Sequence, residues 1–312
     1  MISLIQLEYI VAIDKYRHFV TAAEHCFVTQ PTLSMQVKKV EDELGVILFD
    51  RSKQPLIPTD IGKKIIEQAR VVLSENGRIK EIVQEHNNML SGELVMGVIP
   101  SLSPYLLPRF IRLFTTKYKE VKLKVVELLS EQIIEGLKND SIDVGLLVTP
   151  LNEDWIKEEP LFYEEIKILL HKEHALAKNN KINSSLLNSK GLWLLGKGHC
   201  FRNQVINICS FQEESNNENN FYFESGSLET IKRIVEIEGG YTLLPELAVG
   251  NCNSEQTILK SFIGEPPVRE VSLVYARTQH KRRIIEELKQ TILEAIPEEM
   301  KNKNRGQVVE WR

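Results

Sequence analysis

Thr29-Gln30-Pro31-Thr32-Leu33-Ser34-Met35-Gln36-Val37 reads as the opening of a helix. Pro31 falls in the first turn, where a missing N–H costs nothing. The helix runs through Leu33, Val37 and Val40 to about Leu44, and Gly45 stops it. Upstream, Leu7, Ile10, Val11 and Phe19 give an apolar helical face. Thr21-Ala22-Ala23-Glu24 has capping-box form, so a second helix is predicted to start there. Downstream, Leu48-Phe49-Asp50-Arg51 and Leu56-Ile57-Pro58 predict a small two-stranded wing around Ser52–Pro55. Together these segments have the helix-turn-helix pattern.

Thr59 is placed to cap a long helix reaching about Met89, with Ile61, Ile65, Ala69, Val72, Ile79 and Val83 as its apolar stripe. A helix of about 30 residues is about 45 Å long, and a stripe left uncovered on it suits pairing with a second copy. From Ser91-Gly92 onward, strand-like runs alternate with helical ones. The strands are expected at Glu93–Ile99, Val121–Leu128, Ile142–Val148, Phe162–Leu170, Gly191–Leu195 and Val268–Tyr275. This predicts an α/β region. The expected divisions are a DNA-binding domain at 1–58, a linker at 59–90 and an effector domain at 91–312, with lobes at about 91–164 plus 266–312 and 165–265. The polar segment from about Glu298 to Arg312 is expected to be disordered, and Glu213 to Asn220 to form a solvated loop.

Hydrophobic residues make up 42% of the 312 positions and charged residues 26%, enough apolar material for real cores. No run is long enough to span a membrane, and Met1–Gln6 lacks the form of an export signal. Both features predict a cytoplasmic protein. In that reducing compartment four cysteines, at 26, 200, 209 and 252, are too few for a disulfide framework. They show no zinc-type spacing either, so neither metal nor cofactor is expected. Cys26 is expected to pack in the helical core and Cys252 to be a bystander.

The net charge of −4 gives no basic footprint, so any DNA contact must come from a few placed groups. Gln30, Pro31, Thr32, Ser34, Gln36 and Lys38 line the candidate reading helix. Short hydrogen-bonding side chains at its start suit base edges in a major groove. Arg51, Lys38 and Lys39 are candidate phosphate contacts. Pattern alone leaves a plain three-helix packing unit equally open. The string Ala22-Ala23-Glu24…Thr29-Gln30-Pro31-Thr32-Leu33-Ser34…Gln36-Val37…Leu44-Gly45…Leu48-Phe49-Asp50-Arg51…Pro58-Thr59…Gly62 resembles the winged helix-turn-helix of LysR-type transcription regulators. That resemblance implies a homotetramer on double-stranded DNA and an effector domain of periplasmic-binding-protein type. It also makes RNA polymerase a possible partner.

In the effector region, Gly198-His199-Cys200-Phe201-Arg202-Asn203-Gln204 is followed by Cys209, nine positions after Cys200. His199 and Arg202 flank Cys200 and are expected to stabilise its thiolate, the form that attacks peroxide. If the interval were helical, the two Cα atoms would lie about 13–14 Å apart, far beyond the roughly 4.4–6.8 Å of a disulfide. Spacing alone equally allows two buried thiols packing as small hydrophobes. The wider string Leu194-Leu195…Gly198-His199-Cys200…Arg202…Gln204…Cys209 resembles the redox segment of the peroxide-sensing LysR-type regulators. So do Pro104–Pro108, Ser227–Thr230, Gly240–Pro245 and Leu273–Tyr275. This resemblance implies Cys200 as peroxidatic, Cys209 as resolving, and a thiol reductant as partner. It implies a hydrogen peroxide pocket of His199, Ser101, Ser130, Arg202, Asn203 and Arg269. Ser101 and Ser130 replace threonines common there, and Asn203 replaces an Asp. Two readings remain beside it: a LysR-type regulator of a small metabolite, and a thiol peroxidase or disulfide oxidoreductase, although the latter gives the helix-turn-helix no purpose.

Overall fold

A computed structural model describes residues 1–86, 90–209, 225–250 and 255–312. The expected loop at 213–220 and Cys252 lie outside the described residues. Two compact units result: Met1–Leu90 with Thr278–Arg282, and Ser91–Arg277 with Arg283–Arg312.

The first unit begins with α1 (Leu4–Tyr16), α2 (Phe19–His25) and α3 (Gln30–Leu44). The wing follows as β1 (Phe49–Asp50) and β2 (Ile57–Pro58), and then α4 (Asp60–His86). Ser3 and Gln6 form a capping box on α1. The capping box expected at Thr21–Glu24 does not form. α2 instead has His18 as its N-cap, three residues before Thr21, and Ala22 and Ala23 lie buried within it. Gly45 ends α3 at φ +66°, a conformation that glycine adopts without strain. Ile10, Ile13, Ala22, Leu33, Val37, Val40, Leu48 and Phe49 form one apolar cluster, which Ile66 of α4 joins. At the start of α4, Thr59 Oγ1 accepts from Gly62 N (2.9 Å) and donates to Ile47 O (2.7 Å). Val72, Ile79 and Val83 leave an exposed apolar row along α4.

The second unit comprises β3 (Gly92–Val98), α5 (Ser103–Lys117), β4 (Val121–Glu127), α6 (Ser130–Lys138), β5 (Val144–Thr149), β6 (Ile156–His171) and β7 (Lys181–Ile182). It continues with α7 (Cys200–Ile208), α8 (Leu228–Glu238), β8 (Tyr241–Pro245), α9 (Glu246–Val249), β9 (Thr257–Phe262), β10 (Pro267–Ala276), α10 (Arg282–Glu294) and β11 (Gln307–Val308). The sheet order is β4-β3-β5-β10-β6-β9-β7, with β8 beside β6 and β11 beside β10. Strand β6 joins its two halves: residues 156–165 pair with β10, while residues 166–171 pair with β8 and β9. Such a mixed sheet with covering helices is the α/β fold expected of a periplasmic-binding-protein type domain.

Two expectations need correction. Gly191–Leu195 is not a strand. Isolated bridges join Leu192 to Tyr241 and Leu195 to Ser225 without a continuous ladder, and Gly191 at its start lies at φ +74°. Residues 298–312 are ordered: β11 runs parallel to β10, and Met300 and Trp311 are buried. The segment's polar composition hid two large apolar anchors.

A Cβ at Gly62 would sit 2.2 Å from the Leu48 carbonyl oxygen, a backbone atom with no room to yield. Gly62→Ala should therefore lower the stability of the first unit by about 1–3 kcal/mol, the range for overpacking. Urea unfolding of the full chain, followed by hydrogen exchange at residues 1–86, checks this. Unaltered protection would show that the close approach is unimportant.

Candidate redox site and nucleic-acid surface

In the first unit, α3 presents Gln30, Pro31 and Lys38 to solvent and half-exposes Thr32, Ser34 and Gln36. Thr29 and Thr32 share a hydroxyl–hydroxyl bond of 2.8 Å, and Gln36 Oε1 accepts from Gln6 Nε2 (3.0 Å). Gln36 is thus partly committed to α1. Arg51, expected as a phosphate contact, is engaged within the fold. Its Nη2 donates to Glu41 Oε2 (2.9 Å), and its guanidinium lies 5.2 Å from the centroid of Phe19. Glu41 Oε1 accepts the Leu48 N–H (2.8 Å), so one nearly buried carboxylate ties α3 to the wing.

In the second unit, Cys200 is the first residue of α7 and Cys209 its C-cap. Both are free thiols and both are buried. The segment between them is helical throughout, so their Cα atoms are about 13–14 Å apart at 1.5 Å per residue. Cys209 packs with Phe201, Val205, Ile231 and Leu243. Burial there pushes its thiol up to about 12. Burial also raises the Cys200 thiol. Against it work the Ser130 hydroxyl, the Arg269 charge and the backbone N–H groups of Phe201 and Cys200 itself, all of which favour the thiolate.

The flanking cation expected beside Cys200 needs correction. Arg202 Nη1 donates to the Leu195 carbonyl (2.9 Å), and the cation that acts on Cys200 is Arg269, from β10. Arg269 is fully buried. Its Nε donates to Glu164 Oε2 (2.7 Å) and its Nη1 to Ser101 Oγ (2.9 Å), while its guanidinium lies 5.4 Å from the centroid of Phe201. Asn203 also departs from expectation. It is exposed, and its Nδ2 donates to Trp311 O (3.0 Å) instead of facing the thiol. His199 caps α7 and lines an open cavity of about 550 Å³ with Pro100, Glu127, Leu129, Ser225 and Ser227. Burial holds the imidazole below its ordinary pKa, against the Glu127 charge, so the ring is neutral at pH 7.

Gln204 Oε1 is buried without a hydrogen-bond partner, and Ser130 Oγ has none beyond its interaction with the Cys200 thiol. Gln204 follows Cys200 by four residues and so lies on the same helix face. Its Nε2 is held by Val309 O (2.7 Å), leaving the oxygen unsatisfied. Orphaned buried polar atoms are costly and each calls for a partner. Sequence reasoning assigned Gln204 no role, although its i+4 spacing was available as a signal. Glu164 was missed for a different reason, since strand register across 105 positions brings it to Arg269.

Comparison with known proteins agrees with this arrangement. The model of the bacterial regulatory helix-turn-helix protein, lysR family, matches residues 4–63, and the LysR substrate binding domain matches residues 87–297. A hydrogen peroxide-inducible genes activator of Haemophilus influenzae is 34% identical over 270 residues, covering 86% of this chain and 89% of that protein. A full-length OxyR variant from Pseudomonas aeruginosa is 34% identical, with TM-score 0.76, and the match covers 94% of this chain and 98% of that one. An H2O2-bound OxyR mutant from Corynebacterium glutamicum is 27% identical with TM-score 0.61, covering 95% and 92%. With both of its units matched in order, the chain belongs to the LysR family of bacterial regulatory helix-turn-helix proteins.

Proposed function

We propose that this chain is a cytoplasmic transcription activator that binds double-stranded DNA and responds to hydrogen peroxide through Cys200. One observation carries the reading. A buried thiol at a helix start has a buried cation and the Ser130 hydroxyl beside it, and a second thiol waits at the helix's far end. The names of its peroxide-responsive relatives support the same reading.

The chemistry balances. The Cys200 thiolate attacks one peroxide oxygen, the O–O bond breaks, and the departing hydroxide takes a proton to become water. This leaves a sulfenic acid. The Arg269 charge favours the attacking thiolate, and Ser130 and Gln204 are placed to hold peroxide by hydrogen bonds. Cys209 then attacks the oxidised sulfur, and the sulfenic oxygen leaves as a second water. Its raised pKa keeps Cys209 protonated while it remains packed, so the second step follows its release from the core. A thiol reductant reverses the cycle. The backbone between the two sulfurs must unwind, and that movement is the signal passed to the DNA-bound oligomer. The exposed row on α4 suits pairing between copies, and a homotetramer on two half-sites follows the family pattern. RNA polymerase is then the downstream partner.

A second reading is favoured by one feature, the open cavity beside His199, which could hold a small metabolite. Brief exposure of the full chain to dilute peroxide separates the two. Mass spectrometry should find a Cys200–Cys209 linkage, with an altered promoter footprint, and Cys200→Ser should abolish both. Unchanged DNA binding with both cysteines replaced by Ser, and no peroxide response in the unaltered chain, would favour the metabolite.

Because burial raises Cys200 above its ordinary 9.0, the thiolate fraction at neutral pH is small and grows with pH. The sulfenic acid should therefore form about tenfold faster per pH unit between pH 7 and 8.5, since only the thiolate reacts. His199, already neutral, adds no inflection in that window. Stopped-flow kinetics on the Cys209→Ser chain tests this, and a rate already level at pH 7 would contradict the buried-thiol account.

A further inference from the structure

Residues 309–312 run along the face of α7 that carries Asn203, Gln204 and Asn207. Gln204 Nε2 donates to Val309 O (2.7 Å), Asn207 Nδ2 to Glu310 O (2.9 Å) and Asn203 Nδ2 to Trp311 O (3.0 Å). Three amide side chains on one helix thus hold three successive backbone carbonyls. The other end of the segment is anchored elsewhere in the same unit. The Trp311 ring is buried, and its Nε1 donates to Val148 O (3.0 Å) near the end of β5. Arg312 Nη2 bonds both oxygens of Glu131 (3.0 and 3.2 Å) in the first turn of α6, next to Ser130. Its Nη1 reaches Leu151 O (2.6 Å) and Glu153 Oε1 (3.1 Å). On the strand side, β11 and Val309 N are zipped to β10 just before Arg269.

From this we infer that residues 309–312 are a strap that keeps α7 helical, and that Asn203 and Asn207 are positioning residues that set how readily Cys200 and Cys209 join. The inference rests on the disulfide reading above. The three carbonyls match three side chains only at helical spacing, because residues 203, 204 and 207 share a face only when wound. Joining the sulfurs removes two electrons and two protons, which peroxide takes up as two waters, and it requires that winding to open. The strap's bonds therefore belong to the reduced state alone. Loss of them favours the oxidised state and makes the reduction potential more negative.

Trp311→Ala is the obvious variant, but it also empties a buried site. The exposed pair Asn203→Ala with Asn207→Ala avoids that, and it has a useful sign. Alanine is the better helix former, so propensity alone would oppose opening, whereas strap loss promotes it. The full-length double variant and the unaltered chain are equilibrated in glutathione buffers, and the Cys200–Cys209 bond is quantified by alkylation and mass spectrometry. The expected shift favours the disulfide about tenfold, equal to about 30 mV more negative. Hydrogen exchange of the reduced chains should also quicken at residues 204–209 in the variant. An unchanged or more positive midpoint, or unchanged exchange, overturns the strap. No disulfide in the unaltered chain overturns the sensing reading itself, and exchange tells the two failures apart.

Discussion

The second unit depends on an ion pair that water does not reach, Arg269 with Glu164. Bringing two charges into such a place costs several kcal/mol per ion unless geometry and further hydrogen bonds compensate. Here they do. Glu164 gives one oxygen to Arg269 and the other to the N–H of Leu247, while Arg269 also reaches the hydroxyl and carbonyl of Ser101. Four separate stretches of chain meet at this pair: β6, β10, the turn before α5 and the start of α9. Because Glu164 neutralises the arginine, the site keeps a cation beside Cys200 without burying net charge.

The same arrangement explains how a reactive thiol can be kept closed to solvent. Desolvation works against the thiolate, and Arg269, Ser130 and the first N–H groups of α7 work for it. The balance lies with the protonated form, which is inert to chance electrophiles. On the proposed reading, selectivity for a small neutral oxidant comes from access more than from a strongly depressed pKa.

Much of the fold was legible in local pattern. Gly45, Thr59 and the wing spacing act over a few residues, and each falls where the sequence suggested. The errors lie at local boundaries: His18, not Thr21, precedes α2, and the run from Gly191 to Leu195 forms isolated bridges instead of a strand. In the site, the resemblance already put Arg269 near the pocket, but adjacency pointed to Arg202 as the cation beside Cys200. Arg202 is adjacent in sequence yet bonds a carbonyl, while Arg269 is sixty-nine positions from Cys200 and supplies the charge. Asn203 could not be placed without knowing that a polar-looking segment ends in a buried tryptophan.

The two units solve one positioning problem in the same way. Each has a glutamate that gives one oxygen to an arginine and the other to a backbone N–H, and each of those arginines lies over a phenylalanine ring. In the first unit the set is Glu41, Arg51, Leu48 and Phe19, beneath α3. In the second it is Glu164, Arg269, Leu247 and Phe201, beside α7. What differs is burial. The Arg51 side chain is 41% exposed, with Nη1 3.5 Å from Ser34 Oγ, so part of its guanidinium is open to water. Arg269 is 0% exposed, so only a reactant small enough to enter beside Cys200 can feel its charge at close range. The same arrangement of side chains is thus partly open to water in one unit and closed to it in the other.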